Sequence, residues 1–263
     1  MAIEKGNPVV YDKGKELDNF DAIIPRIAQS YTKYGCAVVR QFEMRDVYTI
    51  AKSIAIDRSR NKLRSYQLLA KAGVGIPKTV FAYETADIED VIEKAGGAPL
   101  IVKVARGTHG NGVVLAETNK AAKAVMQAFY VEGVSFLVQE LIKESAGTDI
   151  RAIVVGSQVV ASIQRQSLDD DFRSNTHQGG VGMPVKLTSE EERVAVKAAR
   201  AMGLPVCGVD MMRSTRGPLV LEVNSSASIM TPETLTGRNI AGKIIEYIEL
   251  NSKQRNRKDR VGA

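Results

Sequence analysis

The chain has no tryptophan, and aromatic residues make up only 5% of its 263 positions. Recognition by stacking bases on aromatic platforms is therefore not expected. Cysteine is almost as scarce, with Cys36 and Cys207 far apart and no Cys or His at metal-ligand spacing. That argues against a structural zinc site and a disulfide framework, and leaves reduced, buried thiols as the expectation. The two histidines, His109 and His177, lie in polar stretches with no Ser, Cys or Asp arranged as a triad partner, so nucleophilic catalysis by the protein is not expected. No apolar run approaches the length of a membrane span, and Met1 to Val10 contains no apolar leader core. The expected location is the cytoplasm, without a membrane partner.

What remains is an ordinary globular composition, 44% hydrophobic and 25% charged, in a length that allows one large domain or two to three small lobes. The formal net charge of +6 favours anionic partners such as nucleotides or acidic peptides. Much of it sits in Lys253, Arg255, Arg257, Lys258 and Arg260, which read as a solvated tail, and no direct nucleic-acid binding is expected.

The patterning predicts a mixed, mainly antiparallel α+β architecture without the strict alternation of a doubly wound sheet. Helices are expected over 31–42, over 57–72 as one amphipathic element in which Ile56, Leu63, Gln67 and Ala70 give a mixed periodicity and Leu68 and Leu69 strengthen the apolar face, and over 87–95, 119–129, 188–202 and 240–250. In the 188–202 helix, Thr188 and Glu191 form a capping box and Val194, Ala198 and Ala201 mark the buried side. Strands are expected at 22–24, 79–83, 100–105, 113–116, 136–142, 150–155, 159–164, 206–213 and 219–224.

Three features carry chemistry. The loop Arg106-Gly107-Thr108-His109-Gly110-Asn111-Gly112 joins two strands, and its glycines would let backbone amides approach a phosphate; a plain hairpin turn has the same look. Lys103 interrupts the apolar strand before that loop, which is costly unless an anion meets it, and Lys62 on the preceding helix is a second candidate, although taken alone it reads as a surface lysine. Near the C-terminus, Glu222 and Asn224 share one face of a strand, and a short hairpin brings Asp210 beside them. Three oxygen ligands at strand ends suit Mg²⁺ or Mn²⁺. Arg151, Arg165, Arg173 and Arg213 are numerous for one half of a small chain; some of them are expected at the surface, and a cluster of guanidinium groups is what carboxylate and phosphate recognition needs.

In their order along the chain, Asp57 to Ser65, Arg106 to Gly112, Gln139-Glu140, Asp149-Ile150-Arg151, Asp171 to Asn175, Gly208-Val209-Asp210 and Glu222-Val223-Asn224 resemble the motifs of ATP-grasp ligases, and of the RimK family among them. The resemblance implies an ATP-grasp fold of two α+β lobes with the nucleotide between them. Residues 1–56 would be a shortened N-terminal lobe, 57–135 the small lobe, 136–250 the large lobe, and 251–263 a basic tail. It implies that Lys62, Lys103 and the loop residues Gly107, Thr108, Gly110 and Gly112 contact phosphates, and that Glu140, Leu141, Ile142 and Asp149 line an adenosine pocket. Arg173, Ser174 and Asn175 would touch the nucleotide, and Asp210, Glu222 and Asn224 would hold two Mg²⁺ or Mn²⁺ ions. Arg165, Arg173 and Asn224 would act at the reacting groups. The implied reaction joins an amino acid, glutamate first, to a carboxylate acceptor such as a ribosomal protein tail, through an acyl phosphate made with ATP. A small-molecule acceptor, or nucleotide binding without turnover, are the alternatives. A homo-oligomer is expected. Where relatives follow the metal-binding Asn with two short residues and Pro-Gly, this chain has Ser225-Ser226-Ala227-Ser228, which predicts a differently shaped loop.

Overall fold

A computed structural model describes residues 1–4, 7–81, 87–105, 112–145, 147–167 and 181–258. The chain opens with short pairings: β1 (Ala2–Glu4) with β2 (Asn7–Val9), and β3 (Tyr11–Asp12) with β4 (Lys15–Glu16). Next, β5 (Ala22–Ile23) leads through α1 (Thr32–Met44) to β6 (Tyr48–Thr49), which lies parallel to β5. Then come α2 (Ser53–Ser59) and α3 (Lys62–Lys71). These replace the single helix expected over 57–72. Asn61 takes an extended backbone and its Oδ1 accepts the Arg64 N–H at 3.1 Å, so it caps a new helix instead of continuing the old one. Leu69 is buried as expected and Leu68 half-buried, but Ser65 and Tyr66 complete the buried side, while Gln67 and Ala70 are exposed.

A four-stranded antiparallel sheet follows, built from β7 (Thr79–Val80), α4 (Ile88–Ala95), β8 (Leu100–Val104), β9 (Val113–Ala116), α5 (Asn119–Val131) and β10 (Phe136–Glu140), in the order β7-β10-β8-β9. The two helices cover one face, where Leu100, Val102, Phe136 and Val138 meet Val91, Ile92 and Met126. Strand alternation sends Ile101, Lys103 and Leu137 to the other face, and Leu137 joins the main core there.

The larger sheet uses β11 (Thr148–Val155), β12 (Gln158–Gln166), β13 (Val181–Pro184), α6 (Ser189–Met202), β14 (Val206–Met212) and β15 (Leu219–Asn224), and α7 (Met230–Thr236) and α8 (Ile240–Lys258) complete the chain. Its order is β13-β12-β11-β14-β15, antiparallel throughout. The capping box of α6 is present as expected. Its buried side is Ala195, Ala198, Ala199 and Met202, with Val194 and Ala201 only partly covered against the same core. Neither β13 nor α7 has a pattern that announces it. The segment Val181-Gly182-Met183-Pro184 does not alternate, and it pairs at an edge where a proline is tolerated.

The large sheet is buried on both faces at one end and on one face at the other. Along β11, Ile150, Ala152 and Val154 enter the main core with α6 and α3. The alternate residues read Asp149, Arg151, Ile153 and Val155; the last two pack with Ile240, Ile244 and Ile248 of α8. One row of side chains thus passes from charged to apolar where α8 begins to cover it. The mixed, mainly antiparallel α+β reading stands, and among the described residues no helix is long and apolar enough to cross a membrane.

Candidate active site

The charged end of that row faces the uncovered side of the small sheet. Lys62 opens α3, and its backbone N–H donates to the Ala105 carbonyl at 3.1 Å, which fastens the start of the helix to the end of β8. Lys62 and Lys103 both interact electrostatically with Glu222 on β15. Burial lowers the Lys103 pKa to about 8; Glu222 opposes the shift and Lys62 adds to it. Lys62 is also lowered by burial, again against Glu222. Both amines thus feel the Glu222 carboxylate. Gly107, Thr108 and Gly110, with Arg106, His109 and Asn111, lie outside the described residues, as do Arg173, Ser174 and Asn175. Gly112 is described. Its φ is +72°, a Cβ there would come within 2.6 Å of the Val104 side chain, and its carbonyl accepts the Val104 N–H at 2.8 Å. Only glycine closes the hairpin at that point.

The large sheet supplies the opposite charge. Asp210 and Glu222 are register partners on β14 and β15, as are Gly208 and Asn224. The Asn224 amide donates to Asp210 Oδ2 at 3.2 Å and to Glu222 Oε1 at 2.9 Å. The three expected ligands therefore do converge. Sequence reasoning did not find their partners. Arg151, facing Asp210 across β11 and β14, binds it through two parallel bonds of 2.7 and 2.6 Å. Arg165 on β12 reaches the same Asp210 oxygen at 3.1 Å and is also doubly bonded to Asp149, its register partner. Asp149, Arg165 and Asp210 are all at most 5% exposed. Burial works against the charge of Asp210, but the two guanidinium groups outweigh it and hold the carboxyl well below the usual range. Burial opposes the Arg165 charge too, and Asp210 and Asp149 overcome it.

A carboxylate has about four acceptor sites, and four N–H donors address Asp210: two from Arg151 and one each from Arg165 and Asn224. A cation there must displace at least one. Turning the Asn224 amide over would release Asp210 and Glu222 and point its oxygen the same way; amide oxygen and nitrogen are interchangeable in shape. Two carboxylates and an amide oxygen then form a donor set that fits a hard divalent cation. Among the described residues, no group of three or more His, Cys, Asp or Glu side chains offers an alternative site.

The other expected positions separate. Glu140 ends β10, where its side chain accepts the Lys78 backbone N–H at 2.6 Å and pairs with Arg216; Ile142 just beyond is buried and Leu141 is half-buried. Asp149 sits in the arginine network, doubly bonded to Arg165. Arg213 does not join the cluster, because it is bonded to Glu191 at the cap of α6. After Asn224, the Arg26 guanidinium donates to the Ala227 carbonyl at 3.1 Å. Neither Ala227 nor Ser228 takes a positive φ, so the glycine found in relatives is not required by this backbone. Beside Glu222 and Asn224 a cavity of about 340 Å³ opens, lined also by Ile27, Arg60, Tyr66 and Ser225.

Comparison with known proteins agrees with this geometry. Residues 1–56 match the RimK pre-ATP-grasp domain and residues 59–248 the RimK-like ATP-grasp domain. A probable alpha-L-glutamate ligase of Hydrogenovibrio crunogenus is 54% identical over 260 residues, covering 99% of this chain and 86% of its own. One of Cellvibrio japonicus is 52% identical over 251 residues, 95% and 83% of the two chains. The solved structure of the ATP-grasp ligase PsnB with its minimal precursor superposes with a TM-score of 0.73 at 19% identity, covering 95% and 85%. The chain belongs to the RimK family of ATP-grasp proteins. It is an ATP-dependent ligase.

Proposed function

We propose that this ligase joins the amine of an amino acid, L-glutamate first, to a carboxylate at the end of a peptide or protein, through an acyl phosphate. The observation that carries the reading is the meeting of Lys62 and Lys103 with Glu222, beside Asp210 and Asn224, where the two sheets face each other. Two amines that both feel one carboxylate are suited to a polyphosphate, whose transfer is governed by positioning and charge stabilisation. The names of the curated relatives support glutamate. Solved structures of PsnB with a precursor peptide support a peptide acceptor, and that with Mg and ADP supports ATP with Mg²⁺. A ribosomal protein tail is the acceptor we favour, a small molecule being the alternative.

In this reading Lys62, Lys103, Gly107, Thr108, Gly110 and Gly112 hold the phosphates, Glu140 to Ile142 the adenosine, and Arg173, Ser174 and Asn175 the nucleotide. Asp149 lines the adenosine pocket with them and also orients Arg165. Asp210, Glu222 and Asn224 would hold Mg²⁺ or Mn²⁺, two ions in all, whose charge offsets that of the polyphosphate. Arg165 keeps Asp210 ionised and in place. The acceptor carboxylate oxygen takes the terminal phosphoryl group from ATP, and ADP leaves. The amine then attacks the acyl carbon: the C–N bond forms, the bond to phosphate breaks with its electron pair, and the amine loses a proton. The edges of the two family matches support a division near residue 57, and we place the lobes over 57–135 and 136–250. The basic stretch expected as a tail from 251 instead continues α8 as far as Lys258. We place the enzyme in the cytoplasm as a homo-oligomer, the latter measurable by light scattering.

With ATP, Mg²⁺, L-glutamate and a synthetic peptide ending in glutamate, the protein should release phosphate and ADP and lengthen the peptide. Hydroxylamine should divert the activated carboxylate to a hydroxamate. Release of AMP and pyrophosphate would replace the acyl phosphate with an adenylate.

A further inference from the structure

The strand β15 is irregular just before its site residues. Asp210 faces Glu222 and Met211 faces Val220, so Leu221 stands between them without a register partner. It is the extra residue of a β-bulge, a device that re-aims the side chains beside it. The neighbours show the effect. Val220 and Val223 both pack in the main core, while Glu222 and Asn224 are hydrogen-bonded to each other on the site face. Strict alternation would carry Glu222 into the core with Val220. The bulge at Leu221 turns it out.

A bulge breaks the ladder locally, and the backbone groups it releases need other partners. Here the partners come from outside the sheet, from α3 and the stretch that links it to β7. The Gly75 carbonyl accepts the Val220 N–H at 2.8 Å. A Cβ on Gly75 would come within 2.8 Å of the Pro218 carbonyl oxygen, so glycine is what lets the two segments approach this closely. One residue on, the Tyr66 hydroxyl donates to the Leu221 carbonyl at 2.6 Å. That hydroxyl is itself held. The Gln139 side chain hydrogen-bonds it, and its amide also donates to Thr79 Oγ1 at 2.7 Å. Thr79 donates in turn to the Pro77 carbonyl at 2.7 Å. Tyr66 and Gln139 are 4% and 1% exposed. Each hydroxyl accepts one bond and donates one, and the amide uses both N–H groups, so these bonds have a single direction.

We infer that Tyr66 is a positioning residue for Glu222: its hydroxyl fixes the Leu221 bulge, and Gln139 ties that bulge to the small sheet. The inference rests on the reading of Asp210, Glu222 and Asn224 as the metal ligands. The peptide plane that Tyr66 holds leads into Glu222, so its tilt sets the direction of the carboxylate. Partners that orient a ligand in this way matter to a metal nearly as much as the ligand does. Gln139 precedes Glu140 on β10. One set of buried bonds therefore joins the strand proposed for the adenosine to the strand proposed for the metal.

The test uses the full chain, with Mn²⁺ titrated into it beside equimolar ADP and the free ion read by paramagnetic resonance. Tyr66→Phe removes one oxygen and keeps the ring. It should weaken Mn²⁺ binding roughly 10–100-fold, the range for partners that orient a ligand, and leave the affinity for ADP without metal unchanged. In turnover, the Mg²⁺ concentration for half-maximal rate should rise by the same factor, while the KM for ATP at saturating Mg²⁺ holds. Gln139→Met keeps the length and loses both amide bonds, and should shift Mn²⁺ affinity the same way by a smaller factor. The double variant should bind Mn²⁺ no worse than Tyr66→Phe alone, because Gln139 acts through the tyrosine. Loss of a buried hydrogen bond lowers the melting temperature whatever its role, so the metal titration decides. Unchanged Mn²⁺ affinity in Tyr66→Phe, or in Gln139→Met should the tyrosine variant not fold, would overturn the assignment, as would additive losses in the double variant. A wild type that binds no Mn²⁺ beyond what ADP holds would overturn it together with the metal reading beneath it.

Discussion

The two sheets treat buried charge in opposite ways. In the large sheet, every buried acid in the row has a matched base: Asp149 with Arg165, and Asp210 with Arg151 and Arg165. Across from it, the small sheet contributes Lys103, whose pKa burial lowers to about 8 while Glu222 only partly offsets the shift. One side is held by matched ion pairs, while on the other burial keeps the Lys103 pKa low. Compensated charge is a structural device that the ligand must disturb as little as possible. A lysine whose charge is disfavoured by burial is a place where binding an anion offsets a cost already present. The contrast assigns the stability of the site mainly to the large sheet and its affinity for polyphosphate mainly to the small one.

The hardest test of that contrast is Asp210→Asn. If Asp210 were only a metal ligand, its loss would spare the fold. Because it neutralises two buried guanidinium groups, the substitution should cost about 3–5 kcal/mol of stability, as breaking a buried ion pair does, and abolish turnover as well. Glu222→Gln should depress turnover by more than the roughly 10–100-fold of outer-shell changes with little change in stability. Urea unfolding of both variants separates the two cases, and equal stability would break the comparison.

Lys103→Ala should weaken ATP binding by about 1.5–3 kcal/mol, the range for hydrogen bonds to charged groups. The same residue gives a pH signature. Its folded pKa of about 8 lies below the ordinary 10.5. The free enzyme therefore loses this positive charge as pH rises through about 8, and the KM for ATP should climb there. For stability the sign is reversed: between about pH 8 and 10.5 the unfolded chain binds a proton that the folded chain does not, so this group makes folding more favourable as pH rises. Lys103→Arg should remove the inflection near pH 8 from a profile of kcat/KM for ATP, and an inflection that persists would point to another group.

The smallest effect is expected from Thr188→Ala at the cap of α6, where Glu191 and Arg213 complete a polar cluster away from the site. Loss of the cap should lower stability by about 1 kcal/mol. It should leave kcat and the pH profile untouched, which calorimetry and steady-state kinetics together would show.

Much of the site was legible because its parts are close in sequence or obey strand alternation. Asp210, Glu222 and Asn224 lie on two strands joined by a short turn, so their meeting follows from one hairpin. Lys103 stood out as a charge in an apolar strand, and the fold places it on the face away from the helices. The capping box of α6 is local and was read directly. What escaped notice depends on distant partners. Nothing in the neighbourhood of Arg151 or Arg165 says that both reach Asp210, some 59 and 45 positions further on. The cavity wall joins Ile27, Arg60 and Ser225 across most of the chain. The break at Asn61 escaped because the apolar spacing on either side of it can be threaded onto one helix; only the extended backbone of Asn61 separates them.

The alternation along β11 also says where the chain can change length. Asp149 and Arg151 owe their place over the site to being an even number of residues from Ile153 and Val155, which α8 covers. One residue inserted between Arg151 and Ala152 would turn Asp149 and Arg151 towards α6 and bring Ile150 into the phosphate side, exchanging charge for oil on both faces at once. An insertion at the exposed Ser157, in the turn that follows, disturbs neither row. Related chains that differ in length should therefore carry their insertions in that turn and keep the strand free of them.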